Sequence, residues 1–317
     1  MRGPEGMQAG IRSVIDIGSN SIKLRVARCF AGRIEVLLDT TEVVRLGKRT
    51  EEGRLREEAF QNGVRVVTEM VRRSRGMGAE PRLVGTMALR LAGNTPDFLR
   101  TIRDRTGLDL MVLTGEEEAR LAWKGALDGL GQEGSCVVFD TGGGSTEFVF
   151  GSRTGIERTE SVAVGAVSLT ERFFAADPVE AESLNLAREY VRDLLCCSTI
   201  QGAGSPVPPT VIGLGGGVVA MASVKLGLSV FMPLKLSGLP LTREDIEGQM
   251  GRYAASTLDE RRRIRGLPAS RADLVLGSAC IVLCAMEALG IAAFTVSING
   301  LRHGLLVELF EADGLMP

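Results

Sequence analysis

The feature that most restricts this chain is a short pattern that occurs twice. Asp16-x-Gly18-x-x-Ser21 and Asp140-x-Gly142-x-x-Ser145 align without gaps. Each follows a run of strand-forming residues, Val14 to Ile17 and Ser135 to Asp140, and each precedes another, Ser21 to Arg28 and Thr146 to Phe150. A strand that ends in aspartate and turns through glycine presents successive backbone N–H groups to an anion. Two such turns in matching register, about one domain apart, predict two homologous halves. The length of 317 residues agrees, being a prior for about two domains. The halves are expected at 1–128 and 129–298, and a terminal helix at about 299–317 is expected to pack back on the first.

The segments between the turns alternate in type. A third strand is expected at Ile34 to Leu38, and a helix over Glu57 to Arg75 with Phe60, Val64, Val67 and Val71 on one face. A strand at Arg82 to Val84, a helix at Pro96 to Thr106, a strand at Leu110 to Leu113 and a helix at Glu116 to Leu130 follow. The second half continues with a helix from Pro178 to Cys197, a Gly/Ser/Pro-rich surface connection at 201–209 and a strand and turn at Val211 to Gly217. Helices near 218–227, 242–256 and 270–289, a strand at Phe294 to Ser297 and a helix at Leu301 to Phe310 complete the chain. Alternation of this kind defines an α/β protein.

Composition removes several functions. His303 is the one histidine, so H-E-x-x-H, histidine-rich metal centres and paired-histidine phosphohydrolases are excluded. Proton chemistry is left to carboxylates. Cys29, Cys136, Cys196, Cys197, Cys280 and Cys284 contain no C-x-x-C pair and read as reduced small hydrophobes. Residues 1–10 contain no apolar signal core. Leu274 to Ile298 is interrupted by Glu287, and each part is shorter than the ~20 residues of a membrane span. A buried helix followed by a strand is expected there. The chain is expected to be soluble and cytoplasmic, with no membrane partner. Its 37 basic and 39 acidic residues give no case for a nucleic acid partner.

The chemistry-bearing residues cluster at five motifs. Ser19, Asn20 and Ser21 add side-chain donors to the first turn, while Gly142, Gly143 and Gly144 let phosphate approach the backbone of the second. Asp16 and Asp140 stand at strand ends, where a divalent cation fits beside phosphate. Gly115-Glu116-Glu117-Glu118-Ala119-Arg120 is either an ordinary acidic helix start or the source of a glutamate that deprotonates water. Glu147 is a further carboxylate beside the second turn. Arg90, in Gly85 to Asn94, is either solvated or a phosphoryl clamp. Gly213-Leu214-Gly215-Gly216-Gly217 lies between a strand and a helix, where helix-terminal N–H groups favour phosphate. It has the spacing of neither a dinucleotide fingerprint nor a P-loop.

Taken in order, D-I-G-S-N-S-I-K-L, T-M-A-L-R-L-A-G-N, T-G-E-E-E-A-R-L, F-D-T-G-G-G-S-T-E, V-G-A-V-S-L-T-E and G-L-G-G-G resemble the exopolyphosphatase / guanosine pentaphosphate phosphohydrolase family. The resemblance runs from about Ile11 to Glu308. It implies two ribonuclease-H-like domains of the actin-like ATPase and sugar kinase superfamily, with an active-site cleft between them. It implies hydrolysis of terminal phosphate from polyphosphate with Mg²⁺, Mn²⁺ being the alternative. By motif, Glu118 is implied as the base, Asp140 and Glu147 as metal and water-positioning carboxylates, and Arg90 as the arginine facing the phosphoryl group. Ser19, Asn20, Gly143, Gly144 and Ser145 are implied as phosphate holders. Phosphoryl transfer needs an in-line water, charge neutralisation and a base, and no histidine.

Departures from the family pattern are few. Thr141 stands where an aliphatic residue is commoner. G-L-G-G-G replaces G-T-G-G-T, which weakens nucleotide binding there. His303 stands where glutamate is usual and is expected to be a packed residue. Longer relatives add a histidine-aspartate domain that a single histidine implies is absent. Arg261, Arg262, Arg263, Arg265 and Arg271 read either as a solvated face or as a basic rim that draws polyphosphate. The apolar helices of the second half allow a homodimer. The rival functions are hydrolysis of guanosine pentaphosphate or nucleoside triphosphates, and a polyphosphate- or alarmone-binding regulator without turnover.

Overall fold

The computed structural model describes residues 10–48, 52–198, 200, 208 and 210–316. The expected surface connection at 201–209 lies, apart from Pro208, outside the described residues, as do residues 1–9. The chain divides into two compact units, Met1–Gly125 with Leu301–Pro317, and Ala126–Gly300.

The first unit begins with β1 (Gly10–Ile17), β2 (Ser21–Phe30) and β3 (Arg33–Val43), each antiparallel to the next. Then come α1 (Glu57–Gly76), β4 (Pro81–Gly85), α2 (Met87–Leu91), α3 (Thr95–Thr106), β5 (Leu110–Val112) and α4 (Gly115–Leu130). The sheet order is β3-β2-β1-β4-β5, with β4 parallel to β1 and β5 parallel to β4. Val14, Ile15 and Ile17 of β1 are wholly buried, the pattern of a strand covered on both faces. The expected face of α1 is the buried one, with Phe60 edge-on to Phe98 at 5.2 Å.

The second unit repeats this plan with β6 (Cys136–Thr141), β7 (Thr146–Ser152) and β8 (Gly155–Val162). Next are α5 (Ala166–Phe173), α6 (Ala181–Cys196), β9 (Thr210–Leu214), α7 (Gly216–Lys225) and α8 (Pro233–Leu236). They are followed by β10 (Pro240–Thr242), α9 (Arg243–Ala255), α10 (Leu258–Arg261), α11 (Val275–Leu289) and β11 (Ala293–Val296). The order is β10-β11-β9-β6-β7-β8. Read from β8, it is the order of the first sheet with β10 added as an antiparallel edge. The chain then returns to the first unit as α12 (Leu301–Ala312). Leu301, Leu306 and Phe310 pack there with Val14, Ala27 and Val84.

The helix and strand expected within Leu274 to Ile298 are α11 and β11. A helix apolar on every side belongs in a core, and α11 is buried along nearly its whole length. Among the described residues no helix is long and apolar enough to cross a membrane.

Several expectations need correction. Strand β3 continues to Val43 rather than ending at Leu38, because it pairs with β2 over its full length. Strands β8 and β10 were not foreseen: β8 is exposed over most of its length and β10 has three residues beginning with proline. Helix α6 starts at Ala181 rather than Pro178, since Glu180 is extended. Helix α11 starts at Val275 rather than 270, because Ala269–Arg271 forms a 3₁₀ turn. Four cysteines are buried, but Cys196 and Cys197 are exposed where α6 ends, so the small-hydrophobe reading fails for that pair.

Candidate active site

The two repeated turns close in the same way. The N–H of Gly18 donates to Ser21 O at 3.1 Å, and that of Gly142 to Ser145 O at 2.9 Å. Around the first turn, Val44 and Arg45 donate their N–H groups to Asn20 O, and Gly47 donates to Ser19 O at 2.7 Å. Ser19, Asn20 and Ser21 are all buried. Asn20 Nδ2 is buried without a partner, an arrangement that suits an incoming acceptor such as a phosphate oxygen.

The second turn is held by the start of α5. Ala166 N–H donates to Gly142 O at 3.0 Å and Val167 N–H to Gly143 O at 2.8 Å. A Cβ on Gly165 would lie 2.4 Å from Gly143 C and Gly144 N, so only glycine permits this approach. Motif V-G-A-V-S therefore supports motif D-T-G-G-G-S. Gly143 and Gly144 are half-buried, and Ser145 is buried.

The three adjacent glutamates at the start of α4 separate by role. Glu117 completes a capping box: Thr114 N–H donates to its Oε2 at 2.8 Å, and its own N–H donates to Thr114 Oγ1 at 3.1 Å. Glu116 is exposed. Glu118 instead meets Arg90 of α2, whose Nη1 lies 2.8 Å from Oε2. The same Nη1 donates to Leu113 O at 2.8 Å. Arg90 thus bridges Glu118 and the Leu113 carbonyl through one nitrogen, and both side chains are about one-fifth exposed.

On the second sheet, Asp140 and Glu147 are directly opposed across β6 and β7, so their side chains share a face. Glu147 is opposed in turn by Ser161 of β8, whose hydroxyl donates to Oε1 at 3.1 Å. Ser161 escaped sequence reasoning because β8 itself did. The corresponding place in the first sheet is different: Asp16 is opposed by Lys23, with 3.5 Å between Nζ and Oδ2.

The third glycine motif closes on Asp140. Gly215 has φ +107°, and a Cβ there would lie 2.4 Å from Thr141 O and 3.2 Å from Asp140 Oδ1. A Cβ on Gly300 would lie 3.7 Å from Asp140 Oδ2. These absent β-carbons leave room beside the carboxylate. That space, with two carboxylates on one face, suits a small hard cation that keeps water and phosphate ligands. Among the described residues no group of three or more His, Cys, Asp or Glu could hold a metal by protein ligands alone.

The arginine stretch is neither a uniform rim nor a uniform solvated face. Arg261 is buried and donates to Ser256 O at 3.1 Å, with Asp177 at 3.4 Å. Burial pulls its pKa down, against Asp177 and Asp273. Arg271 lies over Gly216, at the start of α7, where a Cβ would fall 2.2 Å from Nη2. Burial lowers its pKa too, against Asp273. Gly216 and Arg271 thus bring a helix N-terminus and a guanidinium together. Arg262 pairs with Asp259 at 2.7 Å, and Arg263 and Arg265 are exposed. His303 is buried on α12.

Two sheets of one strand order, each carrying the aspartate–glycine turn, define an α/β protein built from two ribonuclease-H-like units. The chain belongs to the Ppx/GppA phosphatase family, whose model matches residues 25–312. It is 29% identical over 301 residues to a guanosine-5'-triphosphate,3'-diphosphate pyrophosphatase of Photobacterium profundum, covering 94% of this chain and 59% of that one. The chain therefore spans about three fifths of that relative's length. A solved family member from Aquifex aeolicus is similar at a TM-score of 0.83 and 30% identity, over 96% of this chain and 99% of that one. An exopolyphosphatase from Cytophaga hutchinsonii shares the fold at a TM-score of 0.86 and 24% identity, over 97% and 100% of the two chains.

Proposed function

We propose that this chain removes the terminal phosphate of inorganic polyphosphate by hydrolysis, releasing orthophosphate. The observation that carries the reading is the pair Arg90–Glu118: one of three adjacent glutamates is withdrawn from capping and fixed by a guanidinium at 2.8 Å. In this reaction Glu118 takes a proton from water as the water oxygen bonds to the terminal phosphorus. The bond from phosphorus to the bridging oxygen breaks, and the shortened chain leaves with that electron pair as a phosphate oxyanion. Ser19, Asn20, Ser21, Gly143, Gly144 and Ser145 hold non-bridging oxygens, with Gly215, Gly216 and Arg271 as a further anion-holding group. Asp140 and Glu147 would hold Mg²⁺, or Mn²⁺ as the alternative, which supplies charge neutralisation at the phosphoryl oxygens. Asp16, already opposed by Lys23, fits that role less well.

Polyphosphate is favoured because the assigned residues are carboxylates, hydroxyls, an amide, glycines and arginines. A second reading, hydrolysis of guanosine pentaphosphate, is favoured by the name of the Photobacterium relative.

Phosphate release from short and long polyphosphate, guanosine pentaphosphate and nucleoside triphosphates separates the readings. Polyphosphate is expected to be turned over fastest. Glu118→Gln is expected to retain its circular dichroism while turnover falls about 10²- to 10⁴-fold. Release from guanosine pentaphosphate alone moves the assignment to the second reading. Binding with no release by the wild type makes the chain a regulator. Near-normal hydrolysis by Glu118→Gln removes that residue as the base.

A further inference from the structure

The second unit carries an apolar segment that its own fold leaves uncovered. Leu228 is half-buried against the core and Leu236 is wholly buried, so the segment is pinned at both ends. Between them every residue from 229 to 235 is exposed. Leu234 is 98% exposed, Val230 70% and Phe231 57%, and Leu226 and Met232 extend the same surface. Single exposed apolar residues are ordinary, but a run of them marks an interaction site.

Within this run the charge is positive. No acidic residue occurs between 226 and 236, and Lys235 is exposed within the segment. Arg265 packs its stem on the loop, its Cδ 3.9 Å from where a Cβ of Gly227 would be. Arg263, two residues before it, is also exposed. Of the acids near these cations, Asp259 is paired with Arg262, Asp245 with Lys225, and Glu260 caps its own helix while also facing Arg263, which leaves Lys235 and Arg265 as the main cations of the patch.

We propose that this segment docks the protein on an anionic lipid surface. Val230, Phe231, Met232 and Leu234 enter the acyl boundary while Lys235, Arg263 and Arg265 face the headgroup phosphates. An inorganic polyanion would use the cations and leave the apolar side chains in water. A two-fold contact with a second copy would bring the same cations together from both sides. An amphiphilic anionic surface satisfies both halves of the patch. The absence of a crossing helix among the described residues is no obstacle, since surface docking needs none.

The test is co-sedimentation of the full chain with phosphatidylcholine vesicles, with and without phosphatidylglycerol. Binding is expected on the anionic vesicles, at least about tenfold above that on the neutral ones, and is expected to fall as salt rises. Phe231→Ser with Leu234→Ser, and separately Arg265→Glu, are expected to reduce it by about tenfold. Circular dichroism and phosphate release are expected to be unchanged, because these side chains are exposed and outside the proposed catalytic set. Equal binding to both vesicle types, or to neither, overturns the proposal. So does a wild-type dimer in light scattering that the double serine variant makes monomeric while no vesicle binding is seen.

Discussion

The same row of three residues crosses each sheet, and the two rows differ in charge. In the first unit it reads Asp16, Lys23, Thr41; in the second it reads Asp140, Glu147, Ser161. The first sheet supplies its aspartate with a cation from the neighbouring strand. The second sets two carboxylates side by side, an arrangement that a divalent cation relieves. The difference extends along the strands. Two residues beyond Lys23, Arg25 is opposed by Asp39, which also accepts from Arg302 of α12 at 2.5 Å. Two residues beyond Glu147 stands Val149, which is buried. One sheet plan thus carries a carboxylate beside a lysine in the first unit and two carboxylates side by side in the second.

The largest way to break this comparison is to give the second row the charge of the first. Glu147→Lys places a cation opposite Asp140, as Lys23 stands opposite Asp16. Turnover is expected to fall about 10²- to 10³-fold, since charge stabilisation at the phosphoryl oxygens is lost. Mg²⁺ is also expected to raise the thermal midpoint of the wild type but not of the variant. Glu147→Gln, which adds no charge to a buried position, serves if the lysine variant folds poorly. A Mg²⁺-dependent midpoint that survives both substitutions would remove Glu147 from the metal site.

A smaller effect is expected where the first unit is balanced. Burial pushes the Asp39 carboxyl upward, but Arg302 and Arg25 outweigh it and hold the pKa below the ordinary 3.8. Arg25 is drawn down by its own burial and by Arg302, against Asp39, but a guanidinium does not deprotonate at working pH. The pH response therefore rests on Asp39. A depressed carboxylate pKa contributes stability that is full above the unfolded value and is lost as pH falls through the folded one. Asp39→Asn is expected to lower stability at neutral pH by about 2 kcal/mol. This is less than the 3–5 kcal/mol of a fully buried pair, because Asp39 is 29% exposed. Denaturant unfolding at pH 7 and below about pH 4 should show that deficit shrinking in acid. A deficit independent of pH would mean that the network holds α12 by shape and not by charge.

What the sequence revealed divides along the same line. The repeated turns were legible because aspartate, glycine and serine at fixed short spacing carry their geometry locally. The sequence alone does not separate Glu118 from its neighbours, since three adjacent glutamates look alike until Thr114 claims Glu117 as its capping partner and Arg90 meets Glu118. Ser161 was hidden because β8, largely exposed, lacks the alternation that marks a half-buried strand. The arginines from 261 to 271 were inseparable in sequence. Arg261 is buried through Asp177, distant in the chain, and Arg271 through its position over Gly216. Such long-range contacts leave no local trace.

The finest point of contrast is the third member of each row. Ser161 gives Glu147 a hydroxyl bond at 3.1 Å, whereas Lys23 has Asp16 for company. Ser161→Ala removes one donor from a buried carboxylate, which should reduce stability by about 1 kcal/mol. If Ser161 positions Glu147, the Mg²⁺ concentration for half-maximal thermal stabilisation should rise severalfold, as metal sites respond to loss of an outer partner. Ser161→Thr, which keeps the hydroxyl, should restore it. Thr41→Ala, at the matching place in the first row, should leave that concentration unchanged. Equal responses to Ser161→Ala and Thr41→Ala would mean that the two rows are alike in function despite their opposite charges.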